Sequence, residues 1–426
     1  MIKDAWLDTR CVTESKVRKS ATIVLLCLTL LGMAAQVLPF VFSRGPTAQA
    51  IATVNLPSNY PPDYTPTDFD KANTFDQARF WGDALNTAAT LLALVTLLVS
   101  GIPERVGAVV APKARAWLVR VLFLVAVCLF LRGVDLPFVY SRFQHYKAFG
   151  LTALPDSAWW KLYVLGLFVP LALFVLKYLM VICTLPLCKQ SWWLAATFGF
   201  FLISHVVPEV VSRTYPLDPV EKLEPLASGP HRDSMKAMLH QAGLDLPIMV
   251  VDESRRSRTA SIGLTGRAGR EYVLLTDTFV QQYTPQQAAL ALAHELGHFQ
   301  RRTLSLLVQK SCALLTLMFS FGLVFMLSRK RALPISTAPR IVVLTLLCSL
   351  LVSHVFAPVS LAISRREERL ADRYALQLAG DGEEYQRLLV KVAQQEFAPL
   401  DMPPLRYYLY ASHPTFLERI AQSRKK

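Results

Sequence analysis

The chain has 426 residues, 53% of them hydrophobic and only 18% charged, with a mean hydropathy of +0.35. A soluble protein of this length carries about a quarter charged residues, so a soluble globular enzyme is excluded and a polytopic membrane protein is expected. The formal net charge of +14 does not point to nucleic acid, because the basic residues flank apolar blocks (Lys16, Arg18, Lys19; Lys113, Arg115; Arg329, Lys330, Arg331), where they contact anionic lipid and set orientation.

Seven cysteines, at 11, 27, 128, 183, 188, 312 and 348, lie mostly in or beside those blocks. None falls between 213 and 303 or after 364, which excludes a disulfide framework and argues against thiolate metal ligands.

Residues 1–20 are polar and basic, and the apolar block from Ala21 to Phe42 is too long for the core of a cleaved signal, so it reads as an anchor. A loop over 44–82 containing Pro61-Pro62-Asp63-Tyr64 follows. Further apolar blocks fall at about 84–102, 116–138, 159–183 and 192–212, with a loop over Tyr140–Gly150 between the third and fourth spans. Residues 213–303 are polar and mixed, two more blocks cover 304–327 and 341–363, and a polar tail ends the chain. Seven spans are therefore expected in four regions: 1–212 with spans one to five, an insert over 213–303, 304–363 with spans six and seven, and 364–426. Several spans carry groups that lipid disfavours, namely Arg132 and Asp135, His205 and Glu209, Lys310 and His354. Such groups face a bundle interior or a hydrated cavity.

The insert reads as a small α/β unit. Asp233 to Ala242 has helical spacing, and Pro247–Val251 and Glu271–Thr276 are strand candidates. The stretch Ala260-Ser261-Ile262-Gly263-Leu264-Thr265-Gly266 can form an edge on which an extended peptide lies, or a plain structural hairpin. At the end of the insert stands Ala293-His294-Glu295-Leu296-Gly297-His298-Phe299. On a helix His294 and His298 share one face and can hold a single zinc ion, while Glu295 is placed to polarise a bound water. Thr284, Pro285 and Gln287 supply the N-cap, first turn and capping box of that helix, which runs on into span six.

Catalytic zinc takes a third protein ligand. After span seven comes Ser364-Arg365-Arg366-Glu367-Glu368-Arg369-Leu370-Ala371-Asp372-Arg373-Tyr374. Glu368 and Asp372, four apart, share a helical face, whereas Glu367 points about 100° away. Glu368 is thus the third-ligand candidate and Asp372 a carboxylate that orients a ligand histidine, unless the stretch is simply a solvated charged helix. In the tail, Ser412-His413-Pro414-Thr415-Phe416-Leu417-Glu418-Arg419 puts Pro414 in a helical first turn with His413 at its mouth. There a donor acts either as a cap or on the oxyanion of a tetrahedral intermediate.

These three motifs, in a chain with seven spans, resemble the CAAX prenyl protease type I family, integral-membrane zinc endopeptidases. The second half carries the specific motifs; the first four spans match in number and placement, with Phe143–Gly150 a looser echo. The resemblance implies seven helices enclosing a chamber, a gluzincin-like protease insert, and one zinc ion per chain on His294, His298 and Glu368. It implies Glu295 as general base, Asp372 behind the ligands, and His413 and Arg419 as contacts to substrate or intermediate. Ser261-Ile262, followed by Gly263, stands where the family has an Asn-Ala pair facing the substrate, and His145-Tyr146 replaces a common acidic residue.

The expected activity is zinc-dependent peptide-bond hydrolysis on a peptide or protein substrate, prenylated if the family's specificity holds, in contact with membrane lipid and without nucleic acid. An HtpX-like quality-control protease is the alternative enzyme; a transporter or receptor with a degenerate protease domain is the alternative from another class. With a cytosolic N-terminus, thirteen Lys and Arg lie in the short cytosolic connections and five on the other face. That count puts the insert outside the cytoplasm, as suits a bacterial inner membrane; a eukaryotic owner would place the enzyme in the endoplasmic reticulum membrane.

Overall fold

The computed structural model describes residues 60–110, 116–208, 223–266, 271–328 and 337–424. The first expected span lies outside them, as does Glu209. Among the described residues five helices are long and apolar enough to cross a membrane, and a shorter apolar helix covers Trp192–Val206.

The first of these, α1 (Pro66–Val99), begins well before the expected block at 84. Thr65 caps it: its Oγ1 accepts from the Asp68 N–H at 3.2 Å while Asp68 Oδ2 accepts from the Thr65 N–H at 2.9 Å. The polar first half was invisible to a hydropathy reading because it buries only a stripe, Ala72, Phe75, Asp76 and Phe80, toward the protein. A short helix, α2 (Ile102–Val110), leads to α3 (Ala116–Ala148). The expected loop over Tyr140–Gly150 is instead helical as far as Ala148, and the helix ends where Gly150 takes a positive φ of 70°.

The fourth expected span is α4 (Asp156–Leu165) followed by α5 (Phe168–Leu187), broken at Gly166-Leu167. Then α6 (Trp192–Phe201) widens into a π turn over Leu202–Val206. A buried cluster including Leu91, Leu124, Val181, Trp192, Phe321 and Val342 joins these helices, while Leu92, Val169, Met326 and Val355 on the same helices are over 60% exposed. A ring of large exposed apolar side chains around an apolar core is a lipid-facing surface.

The insert contains β1 (Leu223–Pro225), α7 (Pro230–Gln241), β2 (Ile248–Val251), β3 (Ile262–Thr265), β4 (Tyr272–Thr276) and the short α8 (Asp277–Gln282). The strand β1 escaped the sequence reading because three residues carry no period. The sheet order is β1-β2-β4-β3, with β2 and β4 parallel and both outer pairs antiparallel. The stretch 262–265 is therefore an edge strand.

Two long helices carry the rest. In α9 (Pro285–Ser328) Gln287 N–H donates to Thr284 Oγ1 and Gln287 Oε1 accepts from Thr284 N–H, both at 3.2 Å, the capping box the sequence predicts. α10 (Ala338–Ala379) packs along α9 and ends at Gly380, φ 69°. Beyond it the tail is helical: α11 (Gly382–Gln395), α12 (Pro404–Tyr410) and α13 (Phe416–Ser423). A cavity of about 1060 Å³ lies between α1, the edge strand, α9, α10 and the tail.

Candidate active site

Helix α9 fixes His294, Glu295 and His298 by its period alone, and α10 brings Glu368 against them. The two helices can meet this closely because residue 297 is glycine. A Cβ there would lie 2.8 Å from Ala371 Cα and 3.1 Å from Ala371 O. His294 Nε2 is 3.1 Å from His298 Nε2 and 3.5 Å from Glu368 Oε2, and His298 Nε2 is 3.3 Å from Glu368 Oε1.

The other ring nitrogen of His294, Nδ1, is 2.9 Å from Asp372 Oδ1. If Nδ1–H donates to this buried carboxylate, Nε2 carries a lone pair. Two nitrogen lone pairs and a carboxylate converging on one point repel each other unless a cation sits among them. Zinc bonds of about 2.0–2.2 Å in a tetrahedral shell put ligand atoms about 3.3–3.5 Å apart, close to the separations here. The donor set fits a zinc ion. Glu367 turns away and pairs with Arg301 through two contacts, 3.0 and 3.3 Å.

Behind the histidine, Asp372 is fully buried and saturated. Arg419 Nε donates to its Oδ2 at 2.9 Å, Arg419 Nη2 to Oδ1 at 2.7 Å, and the Tyr385 hydroxyl to Oδ1 at 2.7 Å. Burial opposes the Arg419 charge, but Asp372 outweighs it and raises the guanidinium pKa; burial, with Asp372 adding to it, raises the Tyr385 phenol well above its usual value. Both therefore remain donors. Two of the three Arg419 nitrogens are thus engaged with Asp372, although the side chain also borders the cavity.

His413 stands on the opposite side. Its Nε2 is 3.4 Å from Glu368 Oε1 and its Nδ1 is 2.8 Å from Ser412 Oγ. The side chain is 61% accessible because the cavity admits solvent, yet protein surrounds it at longer range. That burial lowers its pKa despite the pull of Glu368. The expected helical turn at Pro414 is not formed. Helix α13 begins at Phe416, capped by Thr415 Oγ1 accepting from Glu418 N–H at 3.2 Å, so His413 sits in the loop before the cap. Arg365, buried, anchors that loop by donating to Tyr407 O at 3.1 Å and Ala411 O at 2.6 Å.

Ser261, Ile262 and Gly263 all fall on or beside the edge strand. Ser261 is turned inward, its N–H donating to Thr276 Oγ1 at 2.9 Å and its carbonyl accepting from Thr276 N–H at 3.0 Å. Antiparallel alternation then points the Ile262 backbone at the open edge and the Gly263 backbone at β4. The sequence reading missed Tyr385 and Arg365. Tyr385 lies on an apolar stripe with Leu388, Leu389 and Ala393, and that period was the available signal; Arg365 carries none beyond its charge.

The chain matches two family models: "Peptidase family M48" over residues 231–426 and "CAAX prenyl protease N-terminal, five membrane helices" over 48–213. Similar proteins include the "Uncharacterized metalloprotease YhfN" of Bacillus subtilis, 22% identical over 346 residues that make up 78% of this chain and 79% of the relative. Another is CAAX prenyl protease 1 of Saccharomyces cerevisiae, 24% identical over 317 residues, 67% of this chain and 68% of the relative. The crystal structure of S. mikatae Ste24p shares the fold, with a TM-score of 0.76 at 18% identity over 94% of this chain and 98% of that one.

Proposed function

We propose that this chain, whose residues 231–426 match peptidase family M48 and whose fold is that of Ste24p, is a multi-pass membrane zinc endopeptidase acting on the C-terminal tails of prenylated proteins. The observation that carries this reading is the triangle of His294, His298 and Glu368 donor atoms beside Glu295, opening into the cavity. These three residues would hold one zinc ion. When bound, zinc supplies Lewis acidity, which makes water nucleophilic near neutral pH and polarises the scissile carbonyl.

The chain's own residues do the rest. Glu295 takes the proton from the attacking water and passes it to the leaving amine. His413 Nε2–H supports the negative charge that develops on the carbonyl oxygen. Arg419 acts through Asp372, which it holds so that the carboxylate keeps His294 in one tautomer and orientation. The substrate lies extended on the open edge at Ser261–Gly263, where backbone hydrogen bonding reads a strand rather than a sequence. Several relatives are named CAAX prenyl proteases, and a cavity flanked by Phe75, Phe80 and Leu361 beside the polar site suits a tail that carries both peptide and isoprenoid.

The test is hydrolysis in detergent of a farnesylated C-a-a-X peptide and its unprenylated twin. Cleavage of the farnesylated peptide alone is expected. Equal cleavage of both would overturn the prenyl specificity while leaving the endopeptidase standing.

A further inference from the structure

The charged side chains that line the cavity are mostly paired. Arg406 Nη2 meets Asp76 Oδ2 at 2.6 Å, Arg419 meets Asp372, and Asp83 meets Arg142. Two guanidinium groups are different: among the described residues those of Arg79 and Arg258 make no ion pair or hydrogen bond, although both border the cavity. Arg258 is the one beside the edge strand, and its main chain is fixed, with the N–H donating to Leu151 O at 3.1 Å and the carbonyl accepting from Gln282 Nε2 at 3.0 Å. An exposed, unpaired cation on a fixed main chain at the border of the cavity is a place for an anion.

The edge strand says which anion. The cavity touches Arg258, Thr259, Ala260, Ser261 and Ile262, not the far end of β3. Ile262 also packs in one apolar cluster with Ala291, one turn before His294. A peptide that pairs antiparallel with this edge, as β4 does on the other side, runs in its C-terminal direction from Ile262 toward Arg258. At roughly 3.4 Å per residue, three residues beyond a bond held near Ile262 cover ~10 Å and bring the peptide end opposite Thr259, within reach of the next side chain, Arg258.

We propose that Arg258 is a specificity-determining residue that captures the C-terminal carboxylate of the substrate and so sets the cut three residues from the chain end. This rests on the endopeptidase reading above. A guanidinium is suited to it because its fork matches a carboxylate through two parallel hydrogen bonds.

The test compares one C-a-a-X peptide carrying a free C-terminal carboxylate with the same peptide ended by an amide, using wild type, Arg258→Gln, Arg258→Lys and Arg79→Gln. Among the described residues Arg79 is the other guanidinium beside the cavity that makes no ion pair or hydrogen bond, its charge acting only at longer range on Glu396. Wild type should show a lower KM for the carboxylate peptide by roughly tenfold or more, consistent with a charge-assisted bond. Arg258→Gln should erase that preference, bringing the KM values of the two peptides together, and Arg258→Lys should keep part of it. No preference in wild type, a preference that survives Arg258→Gln, or one that falls with Arg79→Gln instead would overturn the proposal. In each of those cases continued cleavage of the amide peptide leaves the protease itself intact.

Discussion

At the scale of single residues, the site depends on one side chain that would not touch the metal. Asp372 accepts from Arg419, Tyr385 and His294 with no solvent contact. Removing it frees His294 to change tautomer and leaves the Arg419 guanidinium, itself only 12% exposed, buried without its anion. Loss of an outer-shell carboxylate typically costs 10–100-fold in metal affinity or activity, and breaking a buried pair costs about 3–5 kcal/mol. Asp372→Ala should therefore lower zinc affinity by ~10–100-fold and also the thermal midpoint, both read by zinc titration and thermal unfolding. Tyr385→Phe deletes one neutral donor to the same carboxylate and should cost only about 1 kcal/mol. Equal losses from the two variants would show that Asp372 is not the hub.

At the scale of elements, the decisive contact is the crossing of α9 and α10 at Gly297. A methyl group there meets backbone rather than a flexible side chain end, so the helices must separate, at about 1–3 kcal/mol for an overpacked contact. That separation also draws Glu368 away from the two histidines. Gly297→Ala should lose zinc affinity while keeping its helical content by circular dichroism; unchanged zinc affinity would show that the crossing does not set the ligand triangle.

The sheet is tied to its flanking loop in another way. Asp277 Oδ1 accepts from Glu253 N–H at 2.9 Å and Ser254 N–H at 3.0 Å. Burial raises its pKa, but these and neighbouring hydrogen bonds outweigh that and lower it. A lowered folded value stabilises above the unfolded pKa of about 3.9 and is lost as pH falls through the folded value. Asp277→Asn should thus lower the thermal midpoint at pH 6, with the gap to wild type shrinking as the pH drops below about 4. A gap constant with pH would contradict the ionised cap.

Elements with a strong period or a capping signature were legible in the sequence: the capped start of α9, the strands β2 and β4, and the helix through Glu368. What was not legible depended on tertiary contact. The polar first half of α1 is held by burial of a narrow stripe, and the residues Tyr140–Ala148 continue a helix because Phe143 stacks on Trp159 and Phe75 packs on His145 and Tyr146. The roles of Arg419 and Tyr385 likewise became visible only once α10, α11 and α13 were seen to meet at Asp372.

At the scale of the whole molecule, apolar outer surfaces place the long helices in lipid, while α9 and α10 extend beyond their apolar segments to carry His294, His298 and Glu368. The cavity lies where the membrane helices, the edge strand and the tail converge. The proposed hydrolysis needs a metal held by His294, His298 and Glu368 and proton transfer by Glu295. The most direct measurement takes zinc content and peptide hydrolysis on the same purified preparations of wild type, His294→Ala and Glu295→Gln. Wild type and Glu295→Gln should each carry one zinc per chain, with hydrolysis by Glu295→Gln reduced by ~10²–10⁴-fold, the usual loss of a general base; His294→Ala should lose both. A zinc-free wild type, or a Glu295→Gln variant that hydrolyses the peptide at the wild-type rate, would contradict it.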